Sequence, residues 1–125
     1  MAEHGSFYWN ELTTNDVKTA KKFYRATLGW TFDGMKMPTG TYWVAKSGEK
    51  MVGGIFDTTG TDMVDLPEHW LSYIAVDDVD KRVVKAKKAG AKVIRPPFDV
   101  PTIGRIAILK QPGGGVVGWI TPVPM

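Results

Sequence analysis

The order of elements in this chain is written twice, and that repetition constrains the fold more than any single motif. Residues Trp9 to Ile55 and Leu71 to Ile120 each read as an alternating strand, an acid-capped helix and then glycine-bounded strands. Asn15-Asp16-Val17 opens the first helix and Asp77-Asp78-Val79 the second; both helices run into glycine, at Leu28-Gly29-Trp30 and Ala89-Gly90-Ala91. Thr41 to Lys46 matches Arg105 to Lys110, and Met51-Val52-Gly53 matches Val116-Val117-Gly118. Asp78 follows Asp16 by 62 residues, Gly90 follows Gly29 by 61, Lys110 follows Lys46 by 64 and Gly118 follows Gly53 by 65. A lag that drifts by a few residues is what a duplicated supersecondary unit with altered turns produces. Two copies of such a unit usually pack about a pseudo-twofold axis, and the space between them is the natural place for a site.

Within each copy the periodicity assigns the elements. Phe7 to Thr13 alternates with period two, so Trp9, Glu11 and Thr13 share one face. Asn15 or Asp16 caps the helix that follows, and Gly29 suits its C′ position. Val17, Ala20, Phe23 or Tyr24, and Leu28 form a stripe at helical spacing that needs a sheet to cover it. Trp30 to Met37 reads as a strand ending at Pro38-Thr39-Gly40, and Tyr42 to Lys46 with Lys50 to Phe56 as a hairpin across Ser47-Gly48-Glu49. In the second copy, Leu71 to Val76 is a strand and Val79, Val83 and Ala86 stripe its helix. Lys92 to Arg95 is a short strand stopped by Pro96-Pro97, and Pro101 to Gly104 is a turn. Arg105 to Lys110 and Val116 to Thr121 form the last hairpin. The expected fold is therefore α+β: two βαβββ modules in pseudo-twofold arrangement, forming a curved mixed, largely antiparallel sheet around a cleft. The domain reading is one domain over residues 1–125, with module one at 7–56, a polar connector at 57–68 and module two at 69–122.

Composition narrows the class. A chain of 125 residues with 43% hydrophobic and 23% charged content is that of one globular domain. No apolar run approaches the roughly 20 residues needed to span a bilayer, so no membrane is expected as a partner. The Met-Ala-Glu-His-Gly-Ser start has no basic-then-apolar leader pattern, which predicts a cytoplasmic protein. Zero cysteines exclude a disulfide, a thiol nucleophile and a thiolate metal site. The net charge is +3, and the excess sits on the two helices at positions such as Lys18, Lys21, Arg25, Lys81, Arg82 and Lys85. No nucleic-acid motif accompanies it, so the reading is solvated helix faces and no nucleic-acid partner.

Asp16 through Phe23-Tyr24, Leu28-Gly29-Trp30, Val76-Asp77-Asp78-Val79 and Gln111-Pro112-Gly113-Gly114 together resemble the vicinal oxygen chelate superfamily of glyoxalase I, bleomycin-resistance proteins and extradiol dioxygenases. The likeness covers nearly the whole chain and is strongest to single-domain, glyoxalase-like members. It implies that metal enzymes of this kind take His, Gln or Glu ligands from the first and last strand of each half. Carried over, those positions fall at Trp9, Leu71, Gly118 and Gly53, none of which can donate to a metal. A one-residue slip, to Tyr8, Ser72, Val52 and Val117, does no better. The expectation is no metal and no cofactor.

His4 is expected in a solvated, mobile tail, while His69 can face the mouth of the cleft. The superfamily geometry implies that Trp9, Glu11 and Thr13, Leu71, Tyr73 and Ala75, Met51, Gly53 and Ile55, and Val116, Gly118 and Ile120 line the concave side. Such an apolar, aromatic wall suits a small, partly apolar organic ligand. Glu11 is the one charge the alternation turns inward, and is the catalytic candidate as a general base or hydrogen-bond acceptor. Arg105 can hold an anionic group. The resulting reading is a metal-independent small-molecule binder, contacting its ligand through Trp9, Glu11, Thr13, Gly53, His69, Leu71, Tyr73, Arg105 and Gly118. The alternative is a metal-dependent lyase, isomerase or dioxygenase of the same superfamily with unrecognised ligands. The resemblance also implies a homodimer, which would cover open sheet edges.

Overall fold

A computed structural model describes residues 3–37, 40–61, 63–100 and 103–123. Pro38-Thr39 and Pro101-Thr102, parts of two expected turns, lie outside the described residues. The element order is β1 (Phe7–Thr14), α1 (Val17–Leu28), β2 (Thr31–Met37), β3 (Gly40–Ser47), β4 (Lys50–Asp57), β5 (His69–Ala75), α2 (Val79–Lys88), β6 (Lys92–Val100), β7 (Gly104–Lys110) and β8 (Val116–Pro122). This is the duplicated βαβββ pattern of an α+β fold. The chain resolves into two compact units, Trp9–Leu71 and a second made of Met1–Tyr8 with Ser72–Met125. The connector thus belongs with the first copy and the N-terminal residues with the second. Hydrogen bonds from Gly5 N–H to the Ala75 carbonyl and from Ala75 N–H to the Ser6 carbonyl tie the N-terminal residues to β5.

In the first unit the strands order β2-β3-β4-β1, antiparallel except for the parallel pair β4·β1. Asp16 caps α1 by accepting from Thr19 N–H at 3.1 Å, and Gly29 ends it with φ 71°, a conformation costly for residues with a Cβ. Leu12, Ala20 and Ile55 form the core under α1, with Val17, Tyr24, Phe32 and Trp43 packed against it. Of the two aromatic alternatives for the stripe, Tyr24 takes the inward place and stacks on Trp30 at 4.8 Å, while Phe23 is exposed; Leu28, also expected on the stripe, is 58% exposed.

In the second unit β5-β8-β7-β6 repeats the scheme, with β5·β8 parallel. Asp78 caps α2 through Lys81 N–H, and Val79, Val83 and Ala86 bury against Ala107, Leu109 and Val117. One expectation is corrected here. Pro96-Pro97 does not stop β6, which continues to Val100. An edge strand tolerates a missing N–H on its outer side, and the register shift between Arg95 and Phe98 takes Pro96 and Pro97 out of the regular ladder, so neither leaves a gap in it.

His4 is exposed, as expected, but it is tied down rather than part of a loose tail. Its Nδ1 accepts from Asp77 N–H at 3.0 Å, beside the Asp77 carboxylate that Arg82 clamps through two bonds at 2.8 and 2.9 Å.

Candidate functional site

Strand register decides which side chains share a face. In the first unit Glu11 pairs with Gly54 and Leu12 with Ile55, while Val44 pairs with Gly54 and Trp43 with Ile55. Leu12 and Ile55 lie beneath α1, so alternation puts Glu11, Gly54, Val44 and Tyr42 on the opposite face. Trp9 is there too. Its indole Nε1–H donates to the Tyr42 hydroxyl at 2.9 Å, and the same hydroxyl engages the Glu11 carboxylate. Trp9 and Glu11 are half-buried, and Thr13, further along the same face, is buried.

Burial, reinforced by the neighbouring Glu11 charge, pushes the Tyr42 phenol far above its ordinary range. It is therefore a neutral O–H at any physiological pH. Room for it comes from Gly54, where an added Cβ would collide with the Tyr42 hydroxyl and ring.

Gly53 does not join this face. It pairs with Ala45, and its Cβ direction leads to the Asn10 carbonyl oxygen at 2.8 Å and the Trp70 ring at 3.6 Å. The reason is a bulge: Lys46 pairs with Met51 but Ala45 with Gly53, so β4 carries one extra residue. Matching Met51-Val52-Gly53 to Val116-Val117-Gly118 ignores that residue, and Ile55 correspondingly turns into the core. The same parity makes Gly54 the counterpart of Gly118.

The second unit repeats the device with different atoms. Tyr73 pairs with Gly118, and a Cβ at Gly118 would collide with the Tyr73 ring. Tyr73, Ala75, Ile106 and Ile120 are all buried. Leu71, in the part of β5 that belongs to the first unit, is 4% exposed.

The remaining sequence candidates lie elsewhere. His69 is half-buried and its Nδ1–H donates to the Pro67 carbonyl at 2.8 Å. Arg105 is engaged by Asp80 at 2.8 and 3.1 Å and by Asp99 at 3.2 Å, and these carboxylates raise its guanidinium further above an already high value. Tyr42 was missed by strand alternation alone. Its place beside Glu11 depends on long-range register, and the only local signal was the glycine pair Gly53-Gly54 in a strand.

The scan against protein families matches residues 7–117 to the model described as Glyoxalase/Bleomycin resistance protein/Dioxygenase superfamily. The chain belongs to that superfamily. "Putative glyoxylase CFP32" of Mycobacterium bovis is 40% identical over 123 residues, covering 98% of this chain and 46% of its own length. "Anthracycline biosynthesis protein DnrV" of Streptomyces peucetius is 32% identical over 122 residues, covering 88% and 44%. The chain thus spans about half the length of the curated relatives it matches. Among solved structures, hypothetical protein BH1468 of Bacillus halodurans C-125 superposes with a TM-score of 0.72 at 13% identity, over 98% of each chain. Methylmalonyl-CoA epimerase from Mycobacterium tuberculosis superposes with a TM-score of 0.65 at 13% identity, over 99% of this chain and 93% of that one. At such identities the likeness is one of fold.

The superfamily implies a divalent cation in its metal enzymes, and the residues present do not fit one. The carried-over positions offer an indole N–H donor, a leucine and two backbone-only glycines, and tyrosines fill the space beside Gly54 and Gly118. Among the described residues no three His, Cys, Asp or Glu side chains converge. No helix among them is long and apolar enough to cross a membrane.

Proposed function

We propose that this chain is a metal-independent member of the glyoxalase superfamily that binds a small, partly apolar organic molecule on the Trp9–Glu11–Tyr42 face. The observation that carries the reading is a hydrogen-bonded Trp9–Tyr42–Glu11 trio on a strand face that also carries Val44 and Met35. Trp9 offers a flat ring, and Glu11 a half-buried carboxylate held by a hydroxyl that cannot ionise near neutrality. Apolar walls with a few fixed polar groups are how small-molecule sites are built. One relative's name places it in anthracycline biosynthesis, and a flat, hydroxylated ring system is the kind of ligand such a face accommodates. Glu11 serves as hydrogen-bond acceptor and, for a substrate with an acidic proton, as general base. His69, in the same unit, acts at the margin of the face, and the protein works as a cytoplasmic homodimer.

A thermal-shift screen of aromatic and polyketide-like compounds tests this, with each hit repeated on Glu11→Gln and Trp9→Ala. The reading expects a shift of several degrees from at least one flat hydroxylated compound, reduced by both substitutions. Hits that ignore both substitutions would move the site elsewhere.

A further inference from the structure

A cavity of about 350 Å³ opens beside α1, on the side of the first unit's sheet away from the Trp9–Glu11–Tyr42 face. Asp16, Thr19, Ala20, Phe23 and Tyr24 line it from the helix and its cap, and Glu68 from the connector. That volume has room for a small organic molecule. The Phe23 and Tyr24 rings meet edge to face at 5.0 Å, and Phe23 is 56% exposed, so its ring is open to contact.

Buried Thr14, the last residue of β1, fixes the two walls to each other. Its hydroxyl accepts from Asp16 N–H at 3.0 Å and donates to the Glu68 carboxylate, and its carbonyl accepts from Thr58 N–H at 2.9 Å. Asn15 Nδ2–H donates to the Val64 carbonyl at 2.9 Å, so the connector and the start of α1 form one frame. Charge is sorted by helix side. Asp16, Thr19, Ala20 and Phe23 follow one another at helical spacing, and so do Lys18, Lys21, Lys22 and Arg25, two residues out of step and hence on the opposite side. Residues 57–68 contain no Lys or Arg. A chain of net charge +3 thus lines this cavity with two carboxylates and no cation. Asp16 is committed to the cap, where bonds from the Thr19 side chain and backbone hold its carboxyl below the usual carboxylate range, so what it offers is charge. Negative charge beside aromatic rings attracts an organic cation.

We propose that this cavity is a separate binding site for a small organic ammonium ion with an apolar body, the charge held by Asp16 and Glu68 and the body by Phe23 and Tyr24. It stands independently of the ligand site on the opposite face of the sheet.

Benzylamine, benzyl alcohol and benzoate, which differ chiefly in charge, are titrated at pH 7 into ¹⁵N-labelled protein and followed by ¹H–¹⁵N NMR. The ammonium is expected to shift the amides of Thr19, Ala20, Phe23 and Glu68. It should bind at least about fivefold more tightly than the alcohol and the benzoate, an advantage that shrinks in about 0.5 M NaCl. Phe23→Ala and Glu68→Gln are each expected to weaken its binding about threefold or more. Phe23 is exposed, and glutamine keeps an acceptor for the Thr14 hydroxyl, so both variants retain the fold. Glu11→Gln, on the opposite face, should leave the binding unchanged.

Benzylamine binding no more tightly than benzyl alcohol, or binding that survives both Phe23→Ala and Glu68→Gln undiminished, overturns the site. So does the absence of a saturable shift up to about 20 mM benzylamine. Binding lost in Glu11→Gln but kept in Glu68→Gln puts the amine on the opposite face; it overturns this site and leaves the reading of that face standing.

Discussion

Replacing Gly118 by alanine adds one methyl group to a strand that otherwise favours side chains, yet it should destabilise the protein markedly. The added Cβ would collide with Cδ1 and Cε1 of Tyr73 and lie 3.1 Å from its Cγ. The obstacle is a ring in a buried strand position, 6% exposed and directly paired with Gly118, so it cannot swing into solvent. Relief requires an off-rotamer tyrosine or a strand displacement, and such overpacking costs about 1–3 kcal/mol. For a chain of 125 residues each kcal/mol moves the midpoint by about 3–5 °C, which gives a fall of about 5–10 °C near the centre of that range. Gly113→Ala is the control, because a Cβ there meets nothing within 4 Å. Thermal unfolding followed by circular dichroism, with urea unfolding at 25 °C, measures both. A Gly118→Ala midpoint within 2 °C of wild type would refute the steric account of why the last strand carries glycine.

Leu109→Ala, at a position 1% exposed in the α2 core, is expected to cost about 2–5 kcal/mol in urea unfolding, since the surrounding strands cannot collapse onto the void. Asp78→Ala removes the bond to Lys81 N–H and should lower stability by about 1 kcal/mol in the same assay. The Arg82 clamp on Asp77 and the Arg105 pair with Asp80 hold both carboxyls below the usual carboxylate range. Their folded-state pKa values lie below those of the unfolded chain, so the stability they contribute is present above about pH 4 and is lost as pH falls through the folded values. A urea-midpoint series from pH 6 to pH 2 should decline over that acid range and decline less in Asp77→Asn.

The duplication and the helix caps were legible because they are local. Asp16, Gly29 and Asp78 do their work within a few residues of where they stand. The candidate site was legible only in part. Period-two alternation places Trp9, Glu11 and Thr13 on one face of β1, since one strand carries that information alone. The partner across the ladder was misassigned as Gly53, because a single extra residue in β4 reverses the parity of everything after it and leaves no mark in the pattern of types. Tyr42 escaped for the same reason. The run through Pro96-Pro97 shows a different limit: proline forbids an N–H bond, and whether that ends a strand depends on long-range pairing, here an edge position and a register shift across the two prolines.

The central claim is that tyrosine hydroxyl and ring, not a divalent cation, complete the glycine positions of the last strands. Dialysis of purified protein against Zn²⁺, Ni²⁺, Mn²⁺ and Fe²⁺, followed by metal analysis per chain, tests it most directly. Less than a tenth of an equivalent of each metal is expected after washing. One equivalent of any of them, retained by wild type and released by Glu11→Gln, would contradict it.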